Sequence, residues 1–159
     1  MHILINKKYL TYGQYKVKCA IGKRGIGYKK KEGDLITPIG QYKIKFILYR
    51  KDRVKKIQSK LKKVVIKKNM GWCDDPNNKK YYNKLIKIKK NIKHEKLFRR
   101  DHKYDFLIPI HYNTNKIISG KGSAIFLHLT KNYKKTAGCI VLKKNDFLIL
   151  LKLIEKKTK

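Results

Sequence analysis

Residues 124–142, A-I-F-L-H-L-T-K-N-Y-K-K-T-A-G-C-I-V-L, place His128 on one apolar alternating run and Cys139 at the head of another. A short Lys-rich loop and the step Thr136-Ala137-Gly138 join the two runs. Alternation at period two predicts strands at Ala124–Leu129 and Ile140–Leu142. A thiol attacks a carbonyl only as its thiolate, and an ordinary pKa of roughly 8.5 leaves a few per cent ionised at neutral pH. An imidazole at a neighbouring strand end supplies the missing base, so the pair is a minimum set for acyl transfer. A lone Cys or His on an apolar strand usually belongs to the core. The joint arrangement, with Thr-x-Gly before the Cys, points to a cysteine enzyme.

Period-two alternation recurs along the chain. Val17, Cys19 and Ile21 are expected on one face, as are Tyr42, Ile44, Phe46 and Leu48. Val64–Ile66 and Phe106–Tyr112 read as further strands. Turn-forming sequences separate them: Gly25-Ile26-Gly27, Glu32-Gly33-Asp34, Thr37-Pro38-Ile39-Gly40, Asp74–Asn78 and Gly120-Lys121-Gly122-Ser123. Asn145 or Asp146 is expected to cap a C-terminal helix whose Phe147, Leu150, Leu151 and Ile154 form its apolar stripe. A shorter helix is expected from His94 to about Arg100. The fold class is therefore mainly β with a few helices: one domain over residues 1–159, a sandwich or barrel with the C-terminal helix packed outside.

The chain has 159 residues, 42% of them apolar, enough for one sizeable core. Its 43 Lys+Arg against 10 Asp+Glu give a formal charge of +33. Taken alone, that charge suggests nucleic acid or another polyanion, with eleven tyrosines available to stack on bases. The lysines, however, run the whole length and travel with Ile, Asn and Tyr, as an AT-rich coding bias would produce. No specific nucleic-acid partner is expected; an anionic wall polymer suits the charge equally well. Three cysteines without C-x-x-C spacing fit neither a disulfide framework nor a zinc knuckle. Cys19 reads as a buried hydrophobe, and Cys73 lies in a turn. His94, His102 and His111 with Asp74 and Asp75 match no familiar metal-ligand spacing. No apolar segment approaches the roughly 18 residues of a membrane span. The start M-H-I-L-I-N-K-K-Y-L lacks the apolar core and cleavage site of a signal peptide.

His128 followed by Thr136-Ala137-Gly138-Cys139 resembles the hallmark of the L,D-transpeptidase catalytic domain, the YkuD-type fold. The likeness continues in Gly33-Asp34 with Thr37-Pro38-Ile39-Gly40, and in Gly71-Trp72-Cys73-Asp74-Asp75-Pro76. It runs on through His94-Glu95-Lys96-Leu97 with Arg99, Asp101, Tyr104 and Asp105, and through Gly120-x-Gly-Ser-Ala-Ile-Phe-Leu-His128. These segments span about residues 20–155. Many members carry His before the Gly-Cys pair and Arg two residues after the Cys; here Ala137 and Val141 stand there.

The resemblance implies acyl transfer on peptidoglycan stem peptides. A Cys139 thioester forms at the third residue, the terminal D-alanine leaves, and an amine from a neighbouring stem resolves the thioester. Water as acceptor would make the protein an L,D-carboxypeptidase. No cofactor is implied, and a monomer is expected. The substrate implies the periplasm or cell envelope, in tension with the lack of a visible signal peptide in this chain, which leaves open a cytoplasmic location, another export route or a sequence given without its leader. His128 is expected to shuttle the proton. Gly138 is expected to allow a backbone shape that aims N–H groups near Gly138 and Cys139 at the oxyanion. Thr136 would support that turn or touch substrate. Tyr112, Arg99, Asp101 and Ser123 are candidates for the substrate groove, the acidic and basic pair having a surface salt bridge as its plain reading.

Overall fold

The computed structural model describes residues 1–159. An antiparallel meander opens the chain, with β1 (Ile3–Ile5), β2 (Tyr9–Tyr12) and β3 (Tyr15–Lys18). Two short strands, β4 (Ile26–Gly27) and β5 (Thr37–Pro38), pair parallel. There follow β6 (Phe46–Tyr49), β7 (Lys62–Val65), β8 (Met70–Cys73), β9 (Leu85–Lys87) and β10 (His94–Lys96). The chain ends with β11 (Phe106–Pro109), β12 (Phe126–Leu129), β13 (Ile140–Leu142) and one helix, α1 (Lys144–Leu153).

The centre is a five-stranded sheet in the order β13-β12-β11-β6-β7, and β8 is the middle of a smaller sheet ordered β10-β8-β9. Side chains alternate between faces along a strand. Leu127 and Leu129 of β12, with Ile140 and Leu142 of β13, enter a core closed by Phe147, Leu150 and Leu151 of α1 and by Leu10 and Tyr12 of the meander. Phe126, Leu107 and Leu48 point the other way and meet Trp72, Leu97 and Tyr104. Both faces of the sheet are thus covered, which explains why its strands read as near-continuous apolar runs.

The mainly β architecture with a C-terminal helix is the expected one, but three local expectations are corrected. Residues 94–100 contain no helix: His94–Lys96 pairs antiparallel with β8, His94 opposite Cys73 and Lys96 opposite Gly71. Seven residues without a capping signal gain little from helix formation, whereas the edge of β8 offers His94–Lys96 backbone partners directly. Cys73 lies at the end of β8 and is fully buried. Helix α1 starts at Lys144, and its N-cap is Lys143 with no side-chain cap bond. Asp146 instead accepts hydrogen bonds from Tyr15 and Tyr133 at 3.4 Å each, so its carboxylate is drawn away from the helix end.

Strand ends are also shorter than the alternation suggests. β11 stops at Pro109, which cannot donate to a ladder. Ala124 has φ 51°, a left-handed turn that delays β12 until Phe126. The 42–48 run is regular only from Phe46.

Candidate active site

β12 and β13 lie side by side and parallel, with His128 opposite Val141. Cys139 precedes Val141 by two positions, so it shares that residue's face, and that face also carries Phe126 and His128. The other face takes Ile140, Leu142, Leu127 and Leu129. Register and alternation together bring thiol and imidazole to one side of two adjacent strands.

Each group is anchored to backbone. The Cys139 thiol donates to the Ala124 carbonyl at 3.3 Å, and its sulfur accepts the Phe126 N–H at 3.4 Å. His128 Nδ1 lies 3.0 Å from the Leu129 carbonyl. A carbonyl only accepts, so the proton sits on Nδ1 and Nε2 carries the lone pair. His128 is 7% exposed, whereas Cys139 is half-buried. Burial pushes the thiol up to about 12, only partly offset by the Phe126 N–H. Burial likewise pushes His128 down to about 4. The resting site therefore holds a neutral thiol and a neutral imidazole.

The turn before Cys139 is held on both sides. Thr136 Oγ1 accepts the Gly138 N–H at 3.1 Å and donates to the Cys139 carbonyl at 2.6 Å. Gly138 has φ 149°, and a Cβ there would sit 2.9 Å from the Ile36 carbonyl oxygen. Thr37 Oγ1 donates to the Gly138 carbonyl at 2.8 Å and accepts the Gly22 N–H at 2.9 Å. The loop that carries Thr37 is fastened by the buried ion pair of Lys29 and Asp34. One expectation changes here: the Gly138 N–H is already occupied by Thr136, which leaves Cys139's own N–H for an incoming oxyanion.

Tyr104, whose role sequence reasoning missed, is a buried ring packed against His128 and Phe126. Its ring lies edge-on to His128 at 5.0 Å and to Phe126 at 6.0 Å. Its hydroxyl donates to Glu95 at 3.0 Å, and the Arg99 guanidinium lies over its ring at 5.1 Å. Burial raises the phenol far above its usual range, so it stays protonated. Arg99 also grips Asp101, with Nη2 to Oδ2 at 2.7 Å. Arg99 and Asp101 thus border the site through Tyr104.

Tyr112 and Ser123 are differently employed. The Tyr112 hydroxyl donates to the Lys121 carbonyl at 2.7 Å, and Ser123 is buried with its hydroxyl donated to Glu32 at 2.8 Å. Both shape the turn leading into β12 and neither hydroxyl is free. A cavity of about 400 Å³ lined by Ile5, Pro38, Ile125 and Ile140 lies against the opposite face of the sheet, away from the sulfur.

The sequence model of the L,D-transpeptidase catalytic domain, YkuD, matches residues 2–159. No match was found among curated proteins or among solved structures. With essentially its whole length matched, the chain belongs to the YkuD family of L,D-transpeptidase catalytic domains.

Proposed function

We propose that this protein is a cysteine acyltransferase that opens peptidoglycan stem peptides after their third residue and releases the terminal D-alanine. Family membership supports the peptidoglycan substrate. The observation that carries the residue assignment is the shared face of Cys139 and His128 on parallel β12 and β13, with Nδ1 tied to the Leu129 carbonyl. That tie fixes the tautomer in which Nε2 is the base.

In the first half-reaction the Cys139 sulfur attacks the third-residue carbonyl while its proton passes to His128 Nε2. A C–S bond forms, the tetrahedral oxyanion develops beside the Cys139 N–H, and each such donor is typically worth about 3 kcal/mol. Collapse breaks the C–N bond, and the imidazolium returns the proton to the departing D-alanine amine. Because both groups rest neutral, the proton leaves sulfur in step with attack rather than beforehand. Hydrolysis of the same thioester would give L,D-carboxypeptidase action. A peptidoglycan substrate favours the periplasm or cell envelope as the place of action.

Incubation with tetrapeptide-stem muropeptides tests the proposal by following D-alanine. Release by wild type and its loss in Cys139→Ala are expected. Equal release by Cys139→Ala would refute the assignment.

A further inference from the structure

We propose that Glu95 is the binding point for the amine that takes over the acyl group, so that the site favours transfer to a primary ammonium over hydrolysis. The inference rests on the acyl-transfer reading above. Two separate contact routes connect this carboxylate to the face that carries the reacting pair. Along the first, Glu95 lies opposite Trp72 in the β10–β8 ladder, and the Trp72 ring meets Phe126 edge-on at 5.3 Å. Along the second, the Glu95 Oε1 accepts the Tyr104 hydroxyl at 3.0 Å, and the Tyr104 ring touches both His128 and Phe126. Both routes end at the residue whose N–H lies 3.4 Å from the Cys139 sulfur.

The carboxylate is held but not used up. Tyr104 and, at 3.4 Å, Arg99 both address Oε1, while Oε2 is without a partner in the protein. The side chain is 32% exposed, so solvent and substrate reach it. In a chain with 43 cationic and 10 acidic side chains, a surface ammonium is repelled almost everywhere. Glu95, although it also contacts Arg99, offers an ammonium an acidic partner here. Its field also opposes ionisation of Cys139, in keeping with a thiol that rests protonated.

The chemistry balances. The acceptor arrives as an ammonium paired with Glu95 and gives up one proton through the carboxylate to water. Its lone pair attacks the thioester carbonyl, a C–N bond forms and the C–S bond breaks. The second amine proton travels through His128 Nε2 to the departing sulfur, restoring the thiol and the neutral imidazole.

The test compares wild type with Glu95→Gln, using tetrapeptide-stem muropeptide as donor and acceptor and quantifying cross-linked dimer against tripeptide by mass spectrometry. Losing a charged contact of this kind should lower the dimer-to-tripeptide ratio about tenfold. The acceptor KM should rise without a matching rise in donor KM, and Glu95→Asp should recover part of the ratio. A carboxylate that only props Tyr104 would slow both half-reactions together and leave the ratio unchanged, which overturns the proposal. Tyr104→Phe, which frees Glu95 while keeping the ring, should lower the same ratio less and serves if Glu95→Gln does not fold. Wild type that acylates but makes only tripeptide overturns the amine site alone. Wild type that forms no acyl-enzyme overturns the underlying reading as well.

Discussion

Cys139 keeps its proton at rest, because burial outweighs the single N–H that faces its sulfur. Its reactivity toward a small electrophile should then follow the thin thiolate fraction. Iodoacetamide alkylation, mapped to the Cys139 peptide, is expected to climb about tenfold per pH unit from pH ~7 to ~9. A plateau near neutral pH would show a preformed thiolate–imidazolium pair instead. His128 carries a linked effect on stability, since burial pushes it down to about 4 in the fold from an ordinary value near ~6.5. Between those values the unfolded chain binds a proton that the folded chain does not. Stability is therefore full above ~6.5 and drains as pH falls toward about 4, by up to about 3 kcal/mol. Urea denaturation at pH ~4.5 and ~7 should show that loss in wild type and much less of it in His128→Phe. At Gly138 any side chain meets both a positive φ and the Ile36 carbonyl. Gly138→Ala should cost about 1–3 kcal/mol and most of the D-alanine release, measured by melting and by turnover.

At the scale of elements, the site is a product of register. A one-residue slip of β13 against β12 would send Cys139 to the opposite face, so whatever fixes the turn before it fixes the chemistry. Thr37 does much of this, with one hydroxyl bridging Gly22 and Gly138. Thr37→Val leaves the buried Gly22 N–H without a partner and should cost about 1–3 kcal/mol by chemical denaturation, with D-alanine release falling too. The alternation around His128 and Cys139 makes β12 and β13 legible from residue order alone, because a period of two survives in a single sequence. The false helix at 94–100 arises where no such pattern exists. Whether His94–Lys96 forms a strand depends on β8, distant in sequence, and on Gly71, where a Cβ would lie 2.6 Å from the His94 ring. Gly71→Ala should destabilise the protein, and adding His94→Ala should recover part of the loss if β10 packs this way.

For the whole molecule, the formal charge of +33 is the dominant long-range force. It is barely neutralised by a handful of ion pairs, so self-repulsion opposes folding. Raising salt from ~10 mM, where the screening length is about 30 Å, to ~150 mM, where it is about 8 Å, should raise Tm. An unchanged Tm would show that the lysines are spaced widely enough not to matter. The family, the mainly β class and the neighbouring strands that carry His128 and Cys139 are legible because they rest on local motifs in sequence order. The roles of Tyr104 and Glu95 are not, because they come from contacts with Trp72, Phe126 and His128, which are distant in the chain. Tyr112 and Ser123 look like free hydroxyls in one dimension, and only the folded turn shows what they bond to. The most direct measurement of the central claim is peptide mapping of the acyl-enzyme, trapped with a tetrapeptide-stem donor, in wild type and His128→Asn. The expected result is an adduct on the Cys139 peptide in wild type, forming at least about a hundredfold more slowly in His128→Asn. An adduct on Cys19 or Cys73, or equal rates in the two proteins, would contradict it.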